Sequence, residues 1–228
     1  TVYSLQRPSS YEKWAAETPE RFVFAVKGSR YVTHMRRLRN IRTPLANYFA
    51  SGVLKLEEKL GPFLWQFPPN FQFNPELLDE FLTMLPRDTE AAAELATEHD
   101  HRLKGRAFLE PSSKRRLRHA VEIRHPSFIT PEFITLLRRH RVALVCADTV
   151  EWPRLLDVTE RLRPDILMVS GSLPAGAPQT LLGKLARRAR AAGAKLAVDA
   201  AGPALRQALA AGVWLAKPNL AELEELTG

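Results

Sequence analysis

Polar residues that could carry chemistry follow four short apolar stretches of the sequence, at the point where each stretch ends. In chain order they are Lys27, Gln66, Glu122, Arg124 and Asp148. An amine and a guanidinium attract anions, whereas carboxylate and amide oxygens are ligands for hard cations. Brought together, these side chains could bind an anionic substrate or a metal ion, with Gln66 as a substrate contact and the others in catalytic roles.

The apolar stretches are short and bounded by proline or glycine, which is typical of buried strands in a parallel sheet. In a βα barrel the carboxyl ends of the strands line one mouth, and catalytic residues collect there. The sequence therefore predicts a polar mouth. The alternative is structural: Glu122 with Arg124, and Lys27 with Asp148, would form buried ion pairs that satisfy one another.

Two further polar residues, Thr33 and His34, could join the mouth residues. His34 lies just past the first predicted strand and could contact substrate there. His119 and His125 flank the third strand, and we predict them to be surface and loop residues rather than ligands.

The predicted elements alternate between strand and helix along the sequence. The predicted strands are residues 22–27, 61–67, 120–123, 143–147, 166–169, 196–198 and 213–216, and the first residues form a further strand. The predicted helices include one from Pro44 to Leu56 and others at residues 75–85, 88–103, 131–140, 179–192 and 203–210. This order favours an α/β fold with a mostly parallel sheet, and about eight βα units are the number in a TIM barrel.

The charge is strongly positive, at +8 for 228 residues. Much of it comes from arginine-rich clusters at residues 36–39, 114–118, 138–141 and 187–190. Such clusters can bind nucleic acid. We favour solvated helix faces, because the clusters lie in different elements and no aromatic residues for stacking alternate with them.

The sequence indicates no membrane segment. Its longest apolar runs, such as residues 142–147, are far shorter than the roughly 20 residues of a transmembrane helix. The chain opens without a basic and apolar leader, and its single cysteine, Cys146, has no partner for a disulfide. We therefore expect a cytoplasmic protein, of an oligomeric state that the sequence leaves open.

Residues 1–158 resemble the YecE-like family, the DUF72 family of unknown function. The resemblance rests on the segments FVFAVKGSRYVTHMRRL, LANYFASGVLKLEEKLGPFLWQFPPNF, AVEIRHPSF and VALVCADT, in this order. It implies a TIM-barrel-like fold, of which this part would be an incomplete segment. No cofactor is evident for it.

Residues 159–228 resemble a different family, the ribokinase-like or PfkB-type carbohydrate kinases, in the branch of 1-phosphofructokinase and tagatose-6-phosphate kinase. Three blocks carry the resemblance: VSGSLPAG, AVDAAGPALRQAL and KPNLAELEELTG. It implies a Rossmann-like βα segment that follows the first part. We expect two packed sub-domains, with a hybrid eight-unit βα barrel as the alternative.

The first kinase-like block contains the small-residue turn Ser170, Gly171 and Ser172, directly after a predicted strand. Such a turn can expose backbone N–H groups to a phosphate or a sugar hydroxyl, so we predict these residues to bind substrate. Asp199 ends the next predicted strand and is a candidate Mg²⁺ ligand. The turn and its glycine could equally serve the chain reversal alone.

The last block carries an Asn-x-x-Glu motif at Asn219 and Glu222. The resemblance implies that this motif organises Mg²⁺ and the phosphates of ATP, with Lys217 as a further phosphate contact. Because Asn219 opens a predicted helix, Glu222 lies one turn on and on the same face. The same residues also make a plausible helix N-terminal cap.

We expect from the sequence a chimeric or truncated protein without a complete active site, joined near Thr159. The Gly-Ala-Gly-Asp motif of the kinases, which supplies their catalytic base, does not occur in the sequence. The alternatives are a sugar-phosphate kinase fragment acting on a phosphorylated small molecule, and a basic barrel that binds or processes nucleic acid. The kinase-like part implies ATP and Mg²⁺ as cofactors, but we expect them not to be functional in this chain.

Overall fold

The computed structural model describes residues 5–103, 105–146, 166–170, 173 and 178–216. Within them the strands are β1 Phe24–Lys27, β2 Leu60–Gln66, β3 His119–Ile123, β4 Ala143–Cys146, β5 Ile166–Ser170, β6 Lys195–Asp199 and β7 Leu215–Ala216. The α-helices are α1 Pro8–Glu17, α2 Arg42–Ala50, α3 Pro75–Met84, α4 Thr89–Ala96, α5 Pro131–His140, α6 Leu181–Ala191 and α7 Gly202–Ala210. A π-helix, Tyr31–Met35, and the 3₁₀ helices Val53–Lys59, His101–Leu103 and Pro126–Phe128 complete the elements.

The seven strands form one sheet and follow each other in it in chain order, from β1 to β7. The pairs β1–β2, β4–β5, β5–β6 and β6–β7 are parallel. Parallel neighbours need a crossover connection, and helices supply it between most of these strands. The predicted α/β fold with a mostly parallel sheet is thus confirmed.

The chain divides into two compact units. The first comprises Thr1–Val121 and His125–Val142, and the second comprises Glu122–Arg124 and Ala143–Gly228. No helix in the described part of the chain is long and apolar enough to cross a bilayer.

The core of the first unit is aromatic and is built on β2. Burial alternates along this strand, so that Phe63 and Trp65 are fully buried while Leu64 and Gln66 between and after them are only half-buried. Trp65 meets Phe81 of α3 edge to face, with ring centroids 5.3 Å apart. Each buried aromatic ring removes about 150–250 Å² from water, so Phe63 and Trp65 make a large contribution to the apolar packing of the unit.

The core of the second unit lies between β5–β6 and the helices α6 and α7. Its buried members include Leu167, Leu182, Leu185, Leu196, Val198 and Leu205. The two helices pack closely at Gly183, where an added Cβ would lie 3.3 Å from the carbonyl oxygen of Gln207. A small residue at this position therefore permits the close approach of α6 to α7.

Two predicted helices are shorter than the sequence pattern indicated. The helix expected from Pro44 to Leu56 ends at Ala50, because Gly52 adopts φ 103° and lies against Pro8, whose Cα would be 2.5 Å from a Cβ there. The helix expected at residues 88–103 ends at Ala96.

The basic cluster at residues 114–118, interpreted as a solvated helix face, is in fact extended. Its backbone pairs with the segment before α4: the N–H of Leu117 donates to the carbonyl of Arg87 at 2.8 Å, and Asp88 and Arg116 form an isolated antiparallel bridge. This long-range pairing replaces the local hydrogen bonds that a helix would have made.

Candidate functional site

Lys27 and Gln66 lie at the carboxyl ends of neighbouring parallel strands and on the same face. Lys27, the last residue of β1, is in register with Leu64 of β2, and Gln66 follows Leu64 by one strand period. Trp65 projects from the opposite face, into the aromatic core. Lys27 is exposed and Gln66 is half-buried, so both side chains are accessible on the face that the core leaves open.

The segment after β1 departs from regular geometry. It begins with the π-helix Tyr31–Met35, in which the buried hydroxyl of Thr33 lies 2.8 Å from Nδ1 of His34. Three residues with side chains then adopt left-handed φ angles: Arg37 at 49°, Leu38 at 65° and Asn40 at 50°. Such residues cost of order 1 kcal/mol each and, like π-helices, cluster at functional sites.

A side chain fixes this segment to the one that follows β2. Arg37 donates from Nη1 to Oδ1 of Asn70 at 3.1 Å and from Nη2 to the carbonyl of Asn70 at 3.0 Å. Its guanidinium also lies over the ring of Phe71, 5.3 Å from the centroid. The two connections next to Lys27 and Gln66 are therefore held together.

Glu122 and Arg124 form an ion pair at the end of β3. Nε and Nη2 of Arg124 both donate to Oε1 of Glu122, at 2.9 and 2.8 Å. The glutamate side chain is only 3% exposed and the arginine 39% exposed. The structural alternative of a mutual ion pair is thus seen for these two residues. Asp148, the predicted partner of Lys27, lies outside the described residues.

The predicted mouth residues fall into both compact units. Lys27, His34 and Gln66 belong to the first, and Glu122 and Arg124 to the second. The structure therefore brings together two pairs, Lys27 with Gln66 by strand register and Glu122 with Arg124 by hydrogen bonds.

Ser170 and Asp199, from the kinase-like part, end adjacent strands. They are Cα partners in the parallel ladder between β5 and β6. The other predicted residues of that part, Gly171, Ser172, Lys217, Asn219 and Glu222, lie outside the described residues. Within the described ranges, no group of three or more histidine, cysteine, aspartate or glutamate side chains is arranged to hold a metal ion.

The prediction that His119 is a surface residue is wrong, because His119 is 2% exposed and belongs to the aromatic core. It stacks on Phe63, with ring centroids 5.4 Å apart and planes at 21°. Nε1 of Trp65 donates to its Nδ1 at 3.2 Å, and its Nε2 donates to the carbonyl of Pro86 at 2.7 Å. Strand period could have found it, since His119 precedes the buried Val121 by two residues.

The environment of His119 keeps its ring neutral. Burial lowers the pKa of His119 to about 4, the positive charge of Arg87 acts in the same direction, and the hydrogen bond to Pro86 opposes both. The Trp65 donor requires a lone pair on Nδ1, so the proton of the neutral ring is on Nε2. His119 is thus a buried histidine whose two ring nitrogens are both used in hydrogen bonds within the core.

His125 lies in the connection after β3 and has a local role. Its Nδ1 accepts a hydrogen bond from the backbone N–H of Ser127 at 3.2 Å and caps the 3₁₀ helix there. The hydroxyl of Ser127 accepts in turn from the N–H of Phe73 at 2.8 Å. The expected loop position of His125 is thus seen in the structure.

Comparison with known families gives a match to the DUF72 family, described as a protein of unknown function, over residues 1–172. The chain is also similar to the crystal structure of a DUF72 family protein from Thermotoga maritima. The TM-score is 0.54 at 20% identity, over 92% of this chain and 80% of that chain. At this identity the similarity shows the fold alone.

Curated proteins give a different similarity over a short stretch. The chain is 49% identical over 59 residues to a 1-phosphofructokinase from Rhodobacter capsulatus, covering 26% of this chain and 19% of that protein. It is 44% identical over 66 residues to a 1-phosphofructokinase from Xanthomonas campestris pv. campestris, covering 27% and 21%. The chain thus spans about a fifth of the length of these curated relatives.

Proposed function

Since the chain belongs to the DUF72 family, whose function is unknown, we propose that the carboxyl ends of its first two strands bind an anionic ligand. The observation that carries the proposal is the shared face of Lys27 and Gln66, next to a connection with irregular backbone geometry. Lys27 supplies the charge, Gln66 a hydrogen bond, and His34 a further polar contact.

The charge of the connections supports an anion rather than a cation. Residues 27–39 contain one lysine and four arginines and no acidic residue, and residues 66–74 contain no acidic residue either. A metal ion would need carboxylates here, whereas an anion gains from each cation nearby. Fixed connections also favour binding, because less conformational entropy is lost when the ligand arrives.

The test is calorimetric titration of the full chain with inorganic phosphate, sulfate and citrate. Changing Lys27→Met and Gln66→Met together should weaken binding of the preferred anion by about tenfold, as the loss of one charge-assisted contact predicts. Lys13→Met is the matched control, because Lys13 is an exposed lysine of α1 that pairs only weakly with Glu17 at 3.6 Å. Equal losses in both variants would mean that general charge, not this site, binds the anion.

Nucleic acid is the competing ligand for so basic a chain. Filter binding of an oligonucleotide over a series of salt concentrations distinguishes it, since phosphate-backbone binding falls steeply with salt. Tight and salt-dependent binding that persists in the Lys27 variant would replace the small-anion proposal with a nucleic-acid one.

A second proposal concerns the join. The DUF72 match extends to residue 172, past the join predicted near Thr159, and the similarity to 1-phosphofructokinases covers 59 and 66 residues. We propose that the chain is a chimera whose last part, predicted from the sequence as residues 159–228, derives from a PfkB-type kinase. We expect these 228 residues to show no kinase turnover, since no Gly-Ala-Gly-Asp base motif occurs in them. A coupled assay with ATP, Mg²⁺ and fructose 1-phosphate tests this. Turnover that Glu222→Gln abolishes would show a working kinase site and overturn the expectation.

A further inference from the structure

A pocket of about 270 Å³ opens at the opposite ends of the same strands. Its lining includes Leu60, the first residue of β2, and Arg118, which directly precedes β3. Because β2 is seven residues long, this pocket is about 20 Å from Gln66. It is therefore separate from the strand ends that bear Lys27 and Gln66, and all of its residues belong to the first compact unit.

The pocket wall is fixed by hydrogen bonds around Thr89, the first residue of α4. The Thr89 hydroxyl donates to the carbonyl of Ser113 at 2.7 Å and accepts from the N–H of Arg115 at 3.0 Å. The guanidinium of Arg115 donates from Nε to the hydroxyl of Ser113 at 2.8 Å and pairs with Glu58. Arg115 is thus a structural arginine whose charge is already balanced.

Arg116 and Arg118 extend the same wall but make no such pair. Leu117 between them is buried, so strand alternation places both arginine side chains on the exposed side, about 7 Å apart at their Cα atoms. The carbonyl of Arg118 accepts from the N–H of Phe63 at 2.8 Å, which fixes the backbone there. Among the residues that the structure describes, no carboxylate forms an ion pair with Arg116 or Arg118.

One carboxylate at the pocket is also outside any ion pair in the described part of the chain. Glu57 is exposed at the rim and has φ 48° and ψ −121°, a backbone conformation that residues with side chains rarely adopt. Such strain persists only where the surrounding structure imposes it. Glu57 lines the same pocket as the two arginines.

We propose that this pocket binds a small phosphomonoester that carries hydroxyl groups. Arg116 and Arg118 bind the phosphate dianion, to which guanidinium groups donate in bidentate fashion. Glu57 accepts hydrogen bonds from the hydroxyl groups, and Ser112 and Ser113 also line the pocket. With Glu58 balanced by Arg115, two cations and one carboxylate remain, which suits a dianion with donors and disfavours a simple cation.

The test is calorimetric titration of the full chain with glycerol 3-phosphate and, separately, with inorganic phosphate. Arg116→Gln combined with Arg118→Gln should weaken both by about tenfold or more, since two charge-assisted contacts are lost. The control is Arg21→Gln with Arg187→Gln, which removes the same charge from two exposed positions elsewhere. It should change the dissociation constants by less than about twofold, the scale of long-range screened charge.

Glu57→Gln separates the hydroxyl contact from the phosphate contact. It should weaken glycerol 3-phosphate and leave inorganic phosphate unchanged or bound more tightly, because a like charge near the phosphate is removed. An equal change for both probes would overturn the role of Glu57. Far-UV circular dichroism and a melting curve check that each variant is folded.

Three results would overturn the pocket proposal itself. They are the absence of saturable phosphate-ester binding, an equal loss in the control, and an oligonucleotide that binds more tightly than glycerol 3-phosphate and depends on the same arginines. The last would make the pocket part of a nucleic-acid surface. The variant Lys27→Met distinguishes the two proposals, since it should leave this pocket unaffected, and failure of either site leaves the other testable.

Discussion

The indole of Trp65 donates its N–H to Nδ1 of His119 at 3.2 Å, inside the aromatic core of the first unit. The ring of His119 donates its own N–H to the carbonyl of Pro86, at 2.7 Å. Trp65 is on β2, His119 opens β3, and Pro86 follows α3, so this chain of two hydrogen bonds joins two strands to the end of a helix. Both hydrogen bonds can form only while the imidazole of His119 is neutral, because a protonated ring has no lone pair to accept from Trp65.

Acid should therefore destabilise the protein through His119. The pKa of His119 is about 4 in the folded state, below its ordinary value of 6.5, so the unfolded chain binds a proton first as pH falls. Stability from this group is present above pH 6.5 and is lost as pH falls toward 4. Between pH 7 and pH 5 the free energy of unfolding should drop by about 2 kcal/mol on its account. Urea unfolding at the two pH values measures this drop.

His119→Gln supplies the control for that measurement. A glutamine can donate and accept in the same region but does not titrate, so the variant should lose most of the drop between pH 7 and pH 5. A wild-type drop that persists in the variant would assign the acid sensitivity to other groups.

The end of α5 offers a stabilising change. Arg141, just past the last residue of the helix, has φ 51° and ψ 43°, and Val142 closes the turn by donating to the carbonyl of Leu137 at 2.9 Å. The left-handed backbone conformation at this position favours glycine, because glycine has no Cβ that would clash with the backbone. Arg141→Gly should therefore raise the free energy of unfolding by about 0.5–1 kcal/mol.

Arg141→Ala separates backbone relief from loss of charge. It removes the same guanidinium but keeps a Cβ, so its stability should stay close to that of the wild type. Equal gains in the two variants, measured by urea unfolding, would instead attribute the effect to repulsion between Arg141 and Arg87. Burial lowers the pKa of Arg87, and the charges of Arg116 and Arg141 act in the same direction.

Asp79 of α3 and His140 of α5 form a weaker link between two helices. Nε2 of His140 lies 2.6 Å from Oδ1 of Asp79, and this hydrogen bond lowers the pKa of Asp79 from its ordinary 3.8, with the charges of His140 and Arg139 acting in the same direction. Because Asp79 is 39% exposed, solvent screens the pair. Asp79→Asn should cost below about 1 kcal/mol, and less in high salt.

The stability contributed by the Asp79–His140 pair is lost as pH falls, as for His119, but in a lower pH range. A carboxylate with a lowered folded pKa stabilises the protein above its ordinary value, and the contribution disappears as pH falls below 3.8 through the folded value. Unfolding curves of Asp79→Asn and the wild type should therefore converge in strong acid. A cost that is independent of pH would show that shape, not charge, matters at this position.

The elements that sequence patterns predicted well are those with their own local signals. The helix predicted at residues 131–140 begins and ends as expected, because Thr130 caps it through the N–H of Phe133 and Pro131 occupies its first turn. The strand predicted at residues 61–67 differs from β2 by one residue at each end. Buried and half-buried side chains alternate along it.

The predictions that failed depend on contacts between distant parts of the chain. The helix expected at residues 88–103 stops at Ala96, and the N–H of Asp100 donates instead to the buried side chain of Asn47 on α2. The prediction of a surface position for His119 fails because Trp65 and Pro86, both distant in sequence, supply the hydrogen bonds that allow a polar ring to be buried. Local patterns contain neither partner.

In the candidate sites, too, some features follow from local sequence patterns and others depend on contacts between distant residues. The positions of Lys27 and Gln66 at strand ends follow from apolar patterns, and their shared face follows from strand register. The pocket at Arg116 and Arg118 could not be found in this way, because the basic segment is extended only through pairing with residues 87 and 88. The pocket therefore exists only because the basic segment pairs with these residues.

Gly28 connects the proposed anion site to the aromatic core. It directly follows Lys27, and its N–H continues the ladder to the carbonyl of Leu64 at 2.8 Å. A Cβ at Gly28 would overlap Cε3 and Cζ3 of Trp65, which cannot move without disturbing His119 and Phe81. Gly28→Ala should therefore lower the free energy of unfolding by about 1–3 kcal/mol, the range for overpacking in a tight core.

The same change should affect binding, because the chain can relieve the overlap only by moving Gly28, and Lys27 with it, away from Trp65. The affinity for the anion should fall in the folded Gly28→Ala variant, measured at a temperature where it is fully native. Gly105→Ala is the control: Gly105 has φ 73° but nothing within 4 Å of an added Cβ, so it should cost only about 1 kcal/mol of backbone strain and leave binding intact. Unchanged anion affinity in a destabilised Gly28→Ala protein would show that the position of Lys27 does not depend on the packing against Trp65.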